Sequence, residues 1–297
     1  MTKMLFSFNA YNKLIELILE SSRTILGIEK FLINRKSEAA NAERLVAIRH
    51  DVDYSPARAL KMARIEAKYQ INTTYYIRRR FFDNNLDIIK QIAQLGHEIG
   101  YHYEEVDTHQ KAPNKQVARD AVGFFIGSLL DLDKLGFNIK TICAHGNPLS
   151  GVDNRQVVHL TRSDDWLDDL AFTYDRDLIV EKISNRLIGD ASIDITGDDF
   201  DVYIPDTGRF NPRYNLKDHI DNCPTVGLSN FNSLKEILEN RKYRRIYMNM
   251  HPDRWSDNKI VWLYDLALDT GKNFVKLLMG KSGYKGKLIG DKIKDGG

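Results

Sequence analysis

The stretch LVAIRHDVD at residues 45–53 decides the fold of this sequence, because it changes from apolar to polar within one short segment. Its first half has the continuous apolar character of a strand that is buried on both faces. Ser55 and Pro56 follow, an N-cap residue and a residue suited to the first turn of a helix. A buried strand, a polar turn and a helix in this order are typical of a βαβ unit.

The same alternation of strand and helix continues along the chain. Strands are predicted at residues 71–77, 97–103, 139–144, 170–174, 202–205 and 245–250, and helices at residues 57–70, 85–95, 115–135 and 259–278. Gly96 and Gly136 follow two of these helices, as residues that commonly end them. This order predicts an α/β fold with a mostly parallel sheet, in which residues 166–230 are loops and short strands over one end.

The two ends of the chain are predicted to differ from its middle. Residues 1–44 are an N-terminal helical extension, in which the apolar stripe from Leu14 to Leu19 is expected to pack on the main domain. Contact of residues 1–33 with a membrane surface is a less favoured alternative. Residues 45–279 form one domain, and residues 280–297, rich in Gly and Lys, form a flexible tail.

Composition excludes several classes of protein. In 297 residues, 42% hydrophobic and 28% charged, 43 Lys and Arg stand against 41 Asp and Glu, a net charge of +2. Such a chain is neither a disordered polyelectrolyte nor a membrane bundle, and its balance predicts no nucleic-acid partner. Cys143 and Cys223 cannot form a disulfide framework. Together with the lack of an evident targeting segment, they predict a cytoplasmic protein.

Polar residues collect where the predicted strands end. In parallel α/β folds the active site lies at the carboxyl ends of the strands. Four of those ends carry a histidine each, in the segments His50-Asp51-Val52-Asp53, His102-Tyr103-Glu104-Glu105, His145-Gly146-Asn147 and His251-Pro252. Any one histidine there is expected to be structural, whereas the four together predict a polar site.

Asp51 and Asp53 are two residues apart, so on an extended segment both carboxylates point to one face. Two adjacent carboxylates repel each other unless a cation lies between them or one keeps a proton. A divalent metal with Asp and His ligands would remove the repulsion and leave one carboxylate to act as a base. His102 and Glu104 share one phase of their strand, so both could face this metal.

These motifs resemble a known family. Arg49-His50-Asp51-Val52-Asp53, followed about 45 residues later by Gly96-His97-Glu98-Ile99-Gly100-Tyr101-His102, is similar to the first two motifs of the polysaccharide deacetylases (NodB-homology, carbohydrate esterase family 4), in a variant with an HDVD first motif. Met250-His251-Pro252 resembles the last motif of that family. The resemblance covers residues 45–255.

The resemblance implies a distorted (β/α)7-type barrel that removes acetyl groups from sugars with one divalent metal, with zinc expected and Co, Ni or Mn as alternatives. Asp51 matches the general base and Asp53 the aspartate that binds the metal. His102 matches the first histidine of the H-x-x-x-H metal motif. His251 matches the histidine that protonates the leaving amine.

The sequence departs from the family pattern at two places. Val106 stands where the second histidine of the metal motif belongs, so the third ligand must be Glu104, His145 or His109, of which we favour His145 or Glu104. No family arginine motif follows the fourth strand, and Arg155 is the residue predicted to orient the catalytic base.

The predicted function is a metal-dependent hydrolase that cleaves the carbon–nitrogen bond of an acetylated amino sugar or polysaccharide precursor, nucleotide- or lipid-linked precursors included. One alternative is a catalytically inactive carbohydrate-binding relative of the same barrel, which Val106 supports. Another is a metal-dependent phosphoesterase, because Asp-x-Asp with His also serves phosphate chemistry.

Two further groups stand near these motifs. Arg78-Arg79-Arg80 follows the second strand, and either binds a phosphate or an acidic sugar or is a solvated patch. Trp255 either stacks on a sugar ring or packs in the core, which is the default for an aromatic residue.

Overall fold

The computed structural model describes residues 6–35, 44–106, 115–146, 153–161, 187–207, 213–220, 226–228, 230–258 and 260–261. The helices are α1 Phe8–Glu20, α2 Ile28–Asn34, α3 Pro56–Lys68, α4 Arg79–Asn84, α5 Leu86–Gln94, α6 Lys115–Lys134, α7 Gln156–Thr161 and α8 Phe231–Glu239, with a 3-10 turn at Pro252–Arg254. The strands are β1 Thr24–Leu26, β2 Leu45–Val52, β3 Thr74–Ile77, β4 Glu98–Tyr103, β5 Thr141–Ala144, β6 Gly189–Asp190, β7 Val202–Thr207, β8 Arg213–Asp218, β9 Val226–Leu228 and β10 Arg245–Met250.

The chain divides into two compact units. The first consists of Met1–Gly100 and Asp194–Thr270, and the second of Tyr101–Ile193 and Gly271–Gly297. Strand β4 begins in the first unit and ends in the second.

In the first unit, β2 is the strand around which the others assemble. β10 runs parallel to it along its length, with Leu45 opposite Arg245 and His50 opposite Met250. β1 pairs in parallel with the first half of β2, and β3 with the second half. β7 is parallel to β10, and β8 and β9 continue by antiparallel pairing. The carboxyl ends of β2, β3, β7 and β10 therefore meet at one edge of this sheet.

The second unit contains a smaller parallel arrangement. The last residues of β4 pair with β5, with His102 opposite Cys143 and Tyr103 opposite Ala144. β5 pairs in turn with β6. Helices α6 and α7 belong to this unit.

The predicted α/β class with a mostly parallel sheet is confirmed. Closure of the sheet into a barrel stays a prediction. Five of the predicted strands, at residues 71–77, 97–103, 139–144, 202–205 and 245–250, correspond to β3, β4, β5, β7 and β10. The strand predicted at residues 170–174, most of the helix at residues 259–278 and the tail at residues 280–297 lie outside the described residues.

The N-terminal segment is partly different from the prediction. α1 and α2 are helices as expected, but Thr24–Leu26 is a strand, because its backbone hydrogen-bonds to β2. The apolar face of α1 is buried within the first unit, where Phe6 stacks on Trp255 with ring centroids 4.8 Å apart. Packing on the main domain is therefore confirmed for this helix. Among the described residues, no helix is long and apolar enough to cross a membrane.

A serine and a proline mark the start of α3, and a glycine marks the end of α5. Ser55 is the N-cap of α3, with φ −135° and ψ 87°, and Pro56 is in the first turn, where its missing N–H costs no hydrogen bond. Gly96 follows α5 with φ +92°, a left-handed value that glycine adopts without a Cβ penalty. These two positions agree with the sequence prediction.

A buried carboxylate, that of Glu66 on α3, ties the helix layer to the sheet. Glu66 is fully buried, and its oxygens contact five side chains: Tyr11 Oη, His50 Nε2 at 2.9 Å, Thr73 Oγ1 at 3.0 Å, Tyr75 Oη at 2.6 Å and His97 Nδ1 at 3.6 Å. Burial by itself would raise the pKa of Glu66. The charge and hydrogen bond of His50, followed by the charge of His97, lower that pKa to about 2.

We expect Glu66→Gln to reduce the free energy of unfolding by about 3–5 kcal/mol at pH 7, because it leaves a buried network without its charge. A carboxylate with a lowered pKa stabilises the fold above its unfolded value of about 4.3, and this stabilisation is lost as the pH falls toward 2. The difference between wild type and Glu66→Gln should therefore shrink between pH 5 and pH 3.

Urea unfolding at several pH values measures this difference. The exposed Glu20→Gln is the control and should change stability by no more than about 0.5 kcal/mol. A Glu66→Gln variant as stable as wild type at pH 7 would contradict a stabilising role for this network.

Candidate active site

Asp51 lies near the carboxyl end of β2, and its side chain is buried. Its Oδ2 accepts a hydrogen bond from Arg49 Nη2 at 3.2 Å and another from Asn249 Nδ2 at 3.1 Å. Arg49 is on the same strand, two residues earlier and thus on the same face, and Asn249 is on the neighbouring strand β10. The guanidinium and the amide orient the carboxylate.

Two tyrosines support these donors from the same face of the sheet. Arg49 Nη1 lies 3.2 Å from the hydroxyl oxygen of Tyr247, and its guanidinium lies 5.7 Å from the centroid of that ring. Asn249 Nδ2 lies 3.5 Å from the hydroxyl oxygen of Tyr203. Both groups that bind Asp51 are therefore held by a second set of contacts, which limits their rotamers.

His251 follows β10 directly, and its imidazole lies between two aspartates. Its Nε2 is 4.0 Å from Asp51 Oδ2, and its Nδ1 is 2.7 Å from Asp206 Oδ1. The backbone N–H of His251 donates to the other carboxylate oxygen of Asp206 at 2.8 Å. Because a carboxylate only accepts, Nδ1 carries the proton, and Nε2 is the nitrogen on the Asp51 side.

Asp206 is fully buried near the end of β7. Arg254 Nη1 donates to Oδ1 at 2.8 Å, and Trp255 Nε1 donates to Oδ2 at 3.1 Å. Burial would raise the pKa of Asp206, but the charges of Arg254 and His251 and the hydrogen bonds from His251 lower it below its usual value. Asp206 is therefore ionised at neutral pH and fixes the orientation of the imidazole.

Asp53 follows β2 and lies beside another carboxylate, that of Asp253. Asp253 Oδ2 accepts the backbone N–H of Asp53 at 2.8 Å and that of Tyr54 at 3.1 Å. Burial, and next the charge of Asp53, raise the pKa of Asp253. Two neighbouring carboxyl groups, one of which has a raised pKa, are typical of a site at which a bound cation would be stabilised.

The second unit holds three of the predicted metal ligands. His102 Nδ1 lies 2.9 Å from the carbonyl oxygen of Cys143, so Nδ1 is the donor and Nε2 is the nitrogen suited to bind a metal. His145 Nδ1 is 3.7 Å from Glu104 Oε2, and the centroids of the two histidine rings are 5.3 Å apart. This unit thus brings His102, Glu104 and His145 together, with the nitrogen and oxygen donors that zinc and similar ions prefer.

Val106 and Arg155 have structural partners in the same unit. The Val106 side chain is buried, and its backbone N–H donates to Asn154 Oδ1 at 3.1 Å, while Asn154 Nδ2 donates to the carbonyl of His145 at 2.8 Å. Arg155 pairs with Asp153 at 2.6 Å between Nη2 and Oδ2. Its predicted action on Asp51 stays a prediction, and the guanidinium found at that carboxylate is that of Arg49.

The roles of three residues in the candidate site were not predicted from the sequence: those of Asp206, Asn249 and Arg49. Asp206 directly follows the strand predicted at residues 202–205, so the rule that found the histidines also reaches it, but no histidine marks this position. Asn249 and Arg49 lie within strands rather than after them, so the rule does not reach them. Trp255 is fully buried, and the hypothesis that it stacks on a sugar is wrong. His109 lies outside the described residues.

No model of a known protein family matches the sequence, and no curated protein matches it. Several solved structures do match it. A mutant CE4 family pseudoenzyme with restored enzymatic activity is 12% identical with a TM-score of 0.38, and covers 77% of this chain and 63% of its own. This chain thus spans less than two thirds of that protein.

Two further structures are described as a carbohydrate esterase and a deacetylase. A family 4 carbohydrate esterase from Bacillus anthracis is 11% identical with a TM-score of 0.35, covering 94% of this chain and 91% of its own. The Bc1960 peptidoglycan N-acetylglucosamine deacetylase is 13% identical with a TM-score of 0.33, covering 77% and 82%. The chain is thus similar to structures of the family that its motifs resemble.

We expect Asp206→Asn to change the tautomer of His251, because an amide can donate a hydrogen bond to Nδ1 where the carboxylate can only accept one. The 15N chemical shifts of the imidazole measure the position of the proton. In wild type they should show a protonated Nδ1, and in Asp206→Asn an unprotonated one. The exposed Asp198→Asn is the control and should leave the spectrum unchanged. An unprotonated Nδ1 in wild type would contradict the assignment.

Proposed function

We propose that this protein is a metal-dependent hydrolase that removes the acetyl group from an acetylated amino sugar or polysaccharide precursor by cleaving its carbon–nitrogen bond. The observation that carries the proposal is the arrangement of Asp51, His251 and Asp206. A carboxylate and an imidazole face each other at 4.0 Å, and a buried carboxylate fixes the tautomer of the imidazole. A base and an acid so arranged suit amide hydrolysis, in which water must lose a proton and the amine must gain one.

The residues of this chain would divide the proton transfers between them. Asp51, held by Arg49 and Asn249, takes the proton from the attacking water. On His251, Nε2 is the nitrogen that would hand a proton to the leaving amine, and Asp206 holds Nδ1 and so orients the ring. The two groups are close enough to act on one acetamido group, so that the nitrogen leaves as an amine rather than as an unstable anion.

The residues present fit a divalent metal. Asp53 lies beside a second carboxylate in the first unit, and the second unit groups His102, His145 and Glu104. The ligand set predicted from the sequence, Asp53 and His102 with His145 or Glu104, stays a prediction, and zinc is the expected metal, with Co, Ni or Mn as alternatives. When bound, the ion would polarise the acetyl carbonyl and lower the pKa of the attacking water.

A carbohydrate partner follows from this chemistry and from the sequence motifs. Linkage of the sugar to a nucleotide or a lipid stays a prediction, as does the cytoplasmic location.

We expect Asp51→Asn to retain the metal while lowering the rate of acetate release by about 10²–10⁴-fold, because it removes the base but not the ion. Asp53→Ala should lose both the metal and the activity. Acetate release from N-acetylglucosamine oligomers and metal analysis of protein purified without chelator measure the two effects. Asp87→Asn, an exposed change on α5, is the control.

The outcomes separate the three candidate functions. About one metal per chain with acetate release supports the deacetylase. A protein without metal or activity that still binds the oligomers would be the inactive carbohydrate-binding relative. Release of phosphate from p-nitrophenyl phosphate without release of acetate would indicate a phosphoesterase. A fully active Asp51→Asn variant would contradict the assigned base.

A further inference from the structure

The start of helix α1 packs on the segment that follows β10. The ring of Phe6 stacks on the indole of Trp255, with centroids 4.8 Å apart, and the ring of Tyr11 meets the same indole edge-on at 5.3 Å. All three side chains are buried. These contacts restrict the indole more than apolar burial alone would, because stacked and edge-to-face aromatic pairs have preferred geometries.

Main-chain hydrogen bonds join the same two segments. The N–H of Ser256 donates to the carbonyl oxygen of Phe6 at 2.9 Å, and the N–H of Phe8 donates to Asp257 Oδ1 at 3.0 Å. Phe8 is the first residue of α1, so Asp257 accepts one of the N–H groups that have no acceptor within the helix, and a carboxylate there suits the helix dipole. The helix start is therefore fixed to the two residues that follow Trp255.

Trp255 links this packing to the proposed acid. Its Nε1 donates to Asp206 Oδ2 at 3.1 Å, the same oxygen that accepts the backbone N–H of His251. The other oxygen of Asp206 accepts His251 Nδ1 and Arg254 Nη1. Donors on both oxygens hold the plane of the carboxylate, and that plane sets the direction in which His251 Nε2 points.

The position of the indole depends on side-chain packing because Trp255 lies in no strand. It follows the 3-10 turn Pro252–Arg254, whereas Asp206 is part of β7. Strand pairing thus positions Asp206 but not the indole N–H that binds it. Phe6 and Tyr11 supply the aromatic contacts that do so.

Tyr11 also contacts the residues that support the proposed base. Its hydroxyl group donates to the buried carboxylate of Glu66 and lies 3.3 Å from Nε2 of His50, the residue before Asp51 on β2. The helix start therefore contacts neighbours of both groups that the proposed proton transfers require. The family resemblance covers residues 45–255, so this helix lies outside the segment that carries the motifs.

We propose that the start of α1 is a positioning element for His251: Phe6 and Tyr11 hold the indole N–H of Trp255 on Asp206, and thereby the direction of the imidazole. This inference rests on the proposed function for the role of His251 as the acid. It adds a dependence of that acid on an element outside the family motifs. Displacement of this helix would lower the activity without any change in the reacting groups.

Two conservative variants of the full-length protein test this link. Trp255→Phe keeps an aromatic ring but removes the N–H, and Phe6→Leu keeps an apolar side chain but removes the stacked ring. In each variant the Nδ1–H signal of His251 should move upfield and exchange faster with water, because its hydrogen bond to Asp206 is held less firmly. The signal is observed by NMR with 15N-labelled histidine and is assigned by its loss in His251→Gln.

The rate of acetate release gives a second readout. Both variants should lower kcat on N-acetylglucosamine oligomers by about 10-fold or more and leave KM within about twofold, because the acid is displaced while the groups that bind the substrate are not. Leu238→Ala, a change at a fully buried position of the same core on α8, is the control for lost packing. It should lower the stability of the protein but leave kcat and the His251 signal unchanged.

Three results would overturn the proposal: a wild-type His251 signal in both Trp255→Phe and Phe6→Leu, a changed signal with an unchanged kcat, or changes of the same size in Leu238→Ala. The two proposals fail separately. A His251 signal that depends on Phe6 and Trp255 in a protein that releases no acetate would support the positioning link and contradict the deacetylase. Acetate release by a protein whose His251 signal neither change affects would do the reverse.

Discussion

The parallel pairing of β2 with β10 is the constraint on which the site depends. Their register sets His50 opposite Met250, so Asp51 and His251 are the next residues along the two chain segments, with His251 Nε2 4.0 Å from Asp51 Oδ2. A slip of one residue would turn the side chains of one strand to the opposite face. The apolar residues of both strands resist such a slip, because they are buried against the helices of the first unit. Core packing thereby fixes the distance between the proposed base and acid.

Successive side chains of β2 point to opposite faces of the sheet, so neighbouring residues have different contacts. His50 contacts Glu66 on the helix side, in a buried network that joins α3 and β3 to the strand. Asp51 meets Asn249 and Arg49 on the other side. Polar residues on both faces of a buried strand are costly unless each is hydrogen-bonded, and both of these are. The contact between His50 and Glu66 holds the strand end that carries Asp51, the proposed base.

Sequence patterns predicted the elements that are long and periodic, and the site residues that follow strands. β10 was predicted with its observed bounds, and Asp51, Asp53, His102, His145 and His251 all lie at or just beyond strand ends. β1 was not predicted, because a three-residue strand has no period of its own and depends on pairing with β2. The roles of Arg49 and Asn249 were missed for a related reason, since contacts across strands depend on register. Asp206 was missed because its place in the site depends on contacts with His251, Arg254 and Trp255, which are distant in the sequence.

The proposed mechanism requires Asp51 and His251 to act as one catalytic unit. A double-mutant cycle on the rate of acetate release, with Asp51→Asn, His251→Gln and both changes together, measures this coupling. We expect wild type to release acetate and the double variant to be no slower than the slower single variant, because groups that act in one step are lost together. Losses that multiply in the double variant, or a wild type that releases no acetate, would contradict it.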